Sequence, residues 1–269
     1  MGGLVVVGVD GSSSSDVAVV QAAREARWRR AELRVVHVFS RSVAPRYVPL
    51  DPTPFHRLAD EAARRARGVA PGVKVGEVVL RGAAVPVLAG ESQAADLVVV
   101  GCRGVGGFMG MLLGSTAESL AAHGECPVMV VRGEPDRVGS IVLGVDGAPG
   151  GEGAVDFAFA EAVLRGAEII ALHAWLPDRG SDGVDAESAK RLLAQVLAGR
   201  RDRYPDVVVR QEVASGDPRE ALIEASRTAQ LVVVGARGRG GFVKLLLGSV
   251  SQALLHHAHC SVTVVRGEP

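Results

Sequence analysis

The sequence predicts an α/β chain of two tandem doubly wound domains, Rossmann-like, each a five-stranded parallel sheet in strand order 3-2-1-4-5. Three observations carry that reading. The segment Leu97-Val-Val-Val-Gly-Cys-Arg-Gly-Val-Gly-Gly-Phe, running on to Leu112-Leu-Gly-Ser, returns as Leu231-Val-Val-Val-Gly-Ala-Arg-Gly-Arg-Gly-Gly-Phe, running on to Leu246-Leu-Gly-Ser, and such self-similarity marks a repeated unit. Short β-branched runs alternate with longer alanine- and arginine-rich stretches whose apolar residues recur at helical spacing. Runs such as Leu97-Val-Val-Val are apolar at every position, which requires burial on both faces and so a parallel strand between helical layers.

In the first half the β-branched runs place strands at Leu4–Val9, Leu33–Phe39, Val73–Leu80, Leu97–Gly101 and Val128–Val131. Helical spacing places helices at about Ser14–Ala31, Pro54–Gly68, Val85–Ala94 and Ser115–His123. The second half repeats the series, with strands at Ile141–Val145, Ile169–Trp175, Val207–Ala214, Leu231–Gly235 and Val262–Val265. Its helices cover about Gly151–Arg165, Asp185–Tyr204, Pro218–Thr228 and Ser249–His257. The first strand of each half ends in a matching turn, Val7-Gly-Val-Asp-Gly-Ser or Leu143-Gly-Val-Asp-Gly-Ala, and the fourth ends in the glycine-rich loop. Ligands of such sheets bind beyond the carboxyl ends of the strands where the strand order reverses. Order 3-2-1-4-5 makes strands 1 and 4 neighbours, so both turns line one crevice in each domain.

The chain of 269 residues divides at the polar stretch Arg132-Gly-Glu-Pro-Asp-Arg-Val-Gly, which gives domains 1–134 and 139–269. Thirty basic residues balance thirty acidic ones, so no basic excess exists to displace counterions from nucleic acid, and nucleic acid is excluded as the main partner. Met1-Gly-Gly leads directly into a strand-like run, and no apolar stretch reaches membrane-spanning length; a cytoplasmic protein without membrane contact is expected. Three cysteines make no disulfide framework. Cys126 and Cys260 match in the repeat and read as small buried side chains, while Cys102 is Ala236 in the other copy, which argues against a shared catalytic thiol.

The chemistry lies in the loop pattern Gly-x2-Gly-x9-Gly-Ser, kept without a slip as Gly101, Gly104, Gly114, Ser115 and as Gly235, Gly238, Gly248, Ser249. Glycines admit close backbone approach to a ligand, and the Gly-Ser pair starts a helix whose free N–H groups and dipole favour an anion. The pattern suits a phosphate cradle. Asp10 and Asp146 follow directly on strand 1, where a carboxylate either accepts from a ribose hydroxyl or holds a phosphate-bound cation, or organises an Asx turn. A Gly-x4-Gly-Lys-Ser/Thr motif is missing, and Met109 stands where a dinucleotide fingerprint needs its third glycine.

The glycine loop, the strand-1 Val-Asp-Gly-Ser/Ala turn and the closing Cys-Pro-Val-x-Val-Val-Arg together resemble the universal stress protein family in its tandem two-domain form, over essentially the whole chain. In that family's ATP-binding branch the loop holds the phosphates, the strand-1 Asp and its neighbours reach ribose and adenine, and a backbone position at the end of strand 2 pairs with the adenine edge. The resemblance therefore implies ATP with Mg²⁺ at Gly8, Asp10, Val38, Gly101, Cys102, Arg103, Gly104, Val105, Gly106, Gly107, Gly114, Ser115 and Thr116. In the second half it implies Gly144, Asp146, Ala174, Gly235, Ala236, Arg237, Gly238, Arg239, Gly240, Gly241, Gly248, Ser249 and Val250. Val105 against Arg239 and Thr116 against Val250 make the two sites chemically unequal.

Other polar residues read as structure. His37 and His173 match inside strand 2 and read as core histidines held by a backbone partner; His256, His257 and His259 lack the carboxylates or thiols of a metal site; the basic run Arg24–Arg34 reads as a solvated helix face. No Ser-His-Asp set, metal-ligand cluster or carboxylate pair can be placed in the crevice, so no catalytic or metal residues are assigned. The expected function is a stress-response regulator in which adenine nucleotide occupancy of up to two sites acts as a switch or sensor read by a protein partner. Slow ATP hydrolysis or adenylyl transfer on the same fold, cyclic AMP as the ligand, and a ligand-free interaction module are the alternatives. The last strands, Val128–Val131 and Val262–Val265, are apolar and expected at sheet edges; the resemblance implies that they pair the two halves and that chains associate as a homodimer.

Overall fold

The structure is a computed structural model and describes residues 2–40, 51–105, 112–134, 136–175, 186–238 and 247–267. It divides into two compact units, Met1–Pro135 and Asp136–Pro269.

The first unit runs β1 (Leu4–Val9), α1 (Ser13–Arg29), β2 (Glu32–Phe39), α2 (Thr53–Val69), β3 (Val75–Arg81), α3 (Ala84–Ser92), β4 (Leu97–Gly101), α4 (Ser115–His123), β5 (Val128–Val131). All its ladders are parallel, and they set the order β3-β2-β1-β4-β5. Winding therefore reverses between β1 and β4. Val5, Val6 and Val7 on β1 and Leu97, Val98 and Val99 on β4 are completely buried, as strands covered on both faces must be.

The second unit runs β6 (Ile141–Gly144), a 3₁₀ turn at Pro149–Gly151, α5 (Glu152–Arg165), β7 (Ile169–Trp175), α6 (Ala186–Leu197), α7 (Arg200–Arg203), β8 (Val209–Ser215), α8 (Pro218–Ala225), β9 (Leu231–Gly235), α9 (Ser249–His257), β10 (Ser261–Val265). Its parallel ladders give β8-β7-β6-β9-β10.

Two features differ from the sequence reading. The helix expected over 185–204 is broken between α6 and α7, where Gly199 takes φ +76°, a left-handed backbone that glycine adopts without a Cβ penalty. The basic run on α1 is not simply a solvated face. Glu25 within it is completely buried, accepting from Gln21 Nε2 at 2.9 Å and pairing with Arg29 Nε at 3.4 Å. Glu161, at the matching place on α5, is equally buried and accepts from Arg165 Nε at 2.6 Å. A carboxylate is tolerated in such a place only with partners of this kind.

Candidate functional site

The site begins with the register of β1 against β4, in which Val5, Val6 and Val7 lie opposite Leu97, Val98 and Val99. Both strands end on the same side of the sheet, so the Asp10 turn and the loop after Gly101 emerge together. Asp10 Oδ1 accepts from the Ser12 N–H at 3.0 Å, closing an Asx turn, while Oδ2 accepts from the Val105 N–H at 2.9 Å. Ser12 Oγ donates to the Arg103 carbonyl and the Arg103 N–H donates to Ser14 Oγ, both at 3.2 Å. The glycine loop is thus sewn to the start of α1. A Cβ on Gly104 would lie 2.6 Å from Asp10 Oδ2, and one on Gly101 would lie 2.6 Å from the Ser14 carbonyl, so close approach requires glycine at both positions.

Burial raises the Asp10 pKa, but hydrogen bonds from Ser12, from the Val105 N–H and from Ser15 outweigh it and hold the carboxyl below its ordinary value. The group is ionised at neutral pH, exposed, and serves as an Asx-turn organiser. The second unit repeats the turn: Asp146 Oδ1 accepts from the Ala148 N–H at 3.0 Å, and a Cβ on Gly238 would collide with Asp146 Oδ2.

Each loop then returns to its own start. The Gly114 N–H donates to the Cys102 carbonyl at 2.8 Å, and the Gly248 N–H to the Ala236 carbonyl at 2.7 Å. Gly114 and Gly248 are the N-caps of α4 and α9 and carry no side chain, which leaves first-turn N–H groups available to an anion. Ser115 and Ser249 are exposed there; Thr116 and Val250 are half-buried beside them. Arg103 and Arg237 are exposed on the loops, whereas Cys102 and Ala236 are buried, Cys102 Sγ lying 3.6 Å from Ser14 Oγ.

Strand 2 supports the turn from the other side. His37 Nδ1 donates to the Val9 carbonyl at 2.8 Å and His173 Nδ1 to the Val145 carbonyl at 2.6 Å; both histidines are buried. They pin the end of strand 1 immediately before Asp10 and Asp146. Val38 and Ala174 follow them, half-buried near the ends of β2 and β7.

In the second unit these parts enclose a cleft of about 920 Å³. Gly144, Asp146, Ala174, Gly235, Arg237, Gly238, Gly248, Ser249 and Val250 all line it. A model of the universal stress protein family matches residues 3–132 and again 138–266. The chain belongs to the universal stress protein family. A universal stress protein of Mycolicibacterium smegmatis is 38% identical over 287 residues, covering 97% of this chain and 96% of that one. One from Mycobacterium tuberculosis is 37% identical over 284 residues, with the same coverage. The crystal structure of a universal stress protein from Archaeoglobus fulgidus superposes with a TM-score of 0.76 over 97% of each chain at 19% identity, which shows the shared fold.

Sequence reasoning missed one wall of this universal stress protein's cleft: Arg191, Leu192, Gln195 and Val196 on α6, Arg200 on α7, and Pro218 and Leu222 on α8. Asp217 caps α8 by accepting from the Arg219 N–H at 2.8 Å, and this Asp-Pro helix start was a legible signal for Pro218. The α6 wall had no comparable local mark. Gly8 and Gly144 are explained by packing: a Cβ on Gly8 would meet Leu88 at 3.0 Å, and one on Gly144 would meet Val234 at 2.9 Å and Leu222 at 3.1 Å. Gly106, Gly107, Arg239, Gly240 and Gly241 lie outside the described residues. Among the described residues no group of three or more His, Cys, Asp or Glu side chains could hold a metal ion, and no helix is long and apolar enough to cross a membrane.

Proposed function

We propose that this universal stress protein is a cytoplasmic stress-response regulator that binds an adenine nucleotide, ATP with Mg²⁺, at the crevice beyond β6 and β9 and at its counterpart beyond β1 and β4. Occupancy rather than turnover is its output. The observation that carries this reading is the second-domain cleft, where the Asp146 turn, the loop from Gly235 and the Gly248-Ser249 helix start face one space of about 920 Å³, a size suited to a small-molecule ligand.

The chemistry is divided along the cleft. Leu172, Ala174, Leu222 and Val234 offer an apolar wall for a purine. First-turn N–H groups of α9 favour phosphate oxygens, and Arg237 on the loop adds a charge-assisted contact. Asp146 has an oxygen donor for a ribose hydroxyl or for Mg²⁺, which needs only one or two carboxylates once phosphates complete its shell; bound there, Mg²⁺ neutralises phosphate charge. The carboxylates among the described lining residues are Asp146, whose Oδ1 accepts from the Ala148 N–H at 3.0 Å, and Glu152, 4.0 Å from Arg200 Nη2, and the reading gives neither the part of a base for an attacking water.

Calorimetric titration with ATP and Mg²⁺, a parallel titration with cyclic AMP, and turnover of labelled ATP against an Asp146→Ala control test the reading. ATP is expected to bind, with turnover below about 1 per second. Faster turnover abolished in Asp146→Ala makes the protein an enzyme; tighter cyclic AMP binding reassigns the ligand; binding of neither overturns the reading.

A further inference from the structure

The second-domain cleft reaches past its purine wall to the other face of the sheet. Leu172 and Ala174 line it from β7 together with Leu222 of α8, so the purine wall lies on the α8 face. His173, between them in sequence, points to the opposite face. Its first-domain counterpart His37 stacks on Phe55 of α2 with centroids 5.5 Å apart, which puts α2, and α6 at the same place in the repeat, on that opposite face. Leu192, Gln195 and Val196 of α6 nevertheless line the cleft, and so do Pro149, Glu152 and Val155 from the α5 side. The space therefore passes over the Asp146-Gly147 turn into a second chamber between α5 and α6.

The first domain fills the corresponding space with packing. Arg67 and Arg201 each donate to the carbonyl that begins the next strand, Val75 and Val209, which aligns Leu58 with Leu192, Ala62 with Val196 and Arg65 with Gly199. Helix α2 buries alanines and packs along α1 far more extensively than α6 does along α5. Arg65 Nη2 bridges to Asp16 Oδ2 on α1 at 3.2 Å, and a Cβ on Gly11 would lie 2.9 Å from Leu58 Cδ1. In the second domain Gly199 has no side chain for that bridge, and both Gly147 and Leu192 face open space.

The chamber's chemistry suits a base more than an alkyl chain. Val155, Leu192 and Val196 give an apolar floor, and the exposed Gln195 offers a side-chain amide, which can pair with the N6/N7 edge of adenine. Arg200 is held by Asp156, its Nε donating to Oδ1 at 3.1 Å, and lies 4.0 Å from Glu152. Arg191 is exposed and donates from Nη2 to the neutral Ser188 Oγ at 2.9 Å, so with Arg237 it supplies positive charge for phosphates along the same space.

We propose that the second domain takes a dinucleoside polyphosphate, with one adenosine on the purine wall, the phosphates past the start of α9 and Arg237, and the second adenosine between α5 and α6. This rests on the nucleotide reading above and names the ligand class of that same site. ATP occupies only the first part of the cleft, and the chamber sets the preference for the longer ligand.

Calorimetry of the full chain with Mg²⁺, using ATP in one series and diadenosine tetraphosphate in the other, tests it. One equivalent of the dinucleotide is expected to bind about tenfold tighter than ATP or more. Arg191→Glu and Gln195→Glu, both at exposed positions of α6 and checked for folding by circular dichroism, should each remove most of that advantage and leave ATP affinity within about threefold of wild type. A dinucleotide that binds no tighter than ATP, an advantage that survives both variants, or an equal loss for both ligands overturns the second chamber and leaves the nucleotide reading standing. Binding of neither ligand by wild type overturns that reading and the chamber with it.

Discussion

Asp10 Oδ2 accepts a hydrogen bond at 2.9 Å from the N–H of Val105, which ties the turn after β1 to the glycine loop after β4. Its other oxygen holds Ser12. Two backbone donors on one carboxylate favour its charged form, and the Asp10 pKa is accordingly lowered. A depressed folded pKa gives stability that is fully present above the unfolded value of about 3.9 and is lost as pH falls through the folded value. Asp10→Asn, which weakens the acceptor, should be less stable than wild type at pH 7. Urea denaturation should show that gap shrinking as pH falls from about 5 toward 3; a gap independent of pH would mean the charge contributes nothing.

Arg30 ends α1 in the left-handed region at φ +53°, where the second domain has Gly166 at φ +61°. A side chain in that conformation costs about 1 kcal/mol relative to glycine. Arg30→Gly should therefore stabilise the first domain by about that amount and raise its denaturation midpoint accordingly. An unchanged or lower midpoint by chemical denaturation would show that the arginine has a compensating contact.

Burial pushes the Cys126 thiol up to about 11, with hydrogen bonds from the backbone only partly offsetting it. The reactive form is the thiolate, so native Cys126 should resist iodoacetamide at pH 8 and react once urea unfolds the chain. A raised folded value favours the protonated native state below the ordinary thiol range, and this contribution fades as pH rises from about 9 toward 11. Peptide mapping that finds native Cys126 alkylated as fast as a free thiol would contradict the burial.

How much could be read in advance depends on the range of the interactions. The strands Leu4–Val9, Leu97–Gly101 and Leu231–Gly235 were legible because every residue in them is apolar apart from one glycine at or next to the end, and the helix starts at Ser115 and Ser249 because each follows a glycine. The backbone role of His37 and His173 followed from their place inside a buried strand. Gly8 entered the site only through the resemblance, and its packing against Leu88 on α3 was not legible because that contact joins residues distant in sequence. The break at Gly199 was hidden because Arg200-Arg-Asp-Arg beyond it is compatible with helix and a lone glycine does not by itself end one. The wall formed by α2 or α6 depends on how closely a whole helix face approaches the sheet, which alanines at Ala59, Ala62, Ala63 and Ala66 permit but no short pattern announces.

The central claim, that the second-domain cleft holds an adenine nucleotide through its glycine loop, is tested most directly by native mass spectrometry of the full chain with ATP and Mg²⁺, beside a Gly238→Val variant. A Cβ at that position collides with Asp146 Oδ2, and a branched side chain must displace either the carboxylate or the loop. The account predicts a wild-type species heavier by up to two ATP and a variant, folded by circular dichroism, that carries one fewer. Equal ATP adducts on both proteins, or none on wild type, would contradict it.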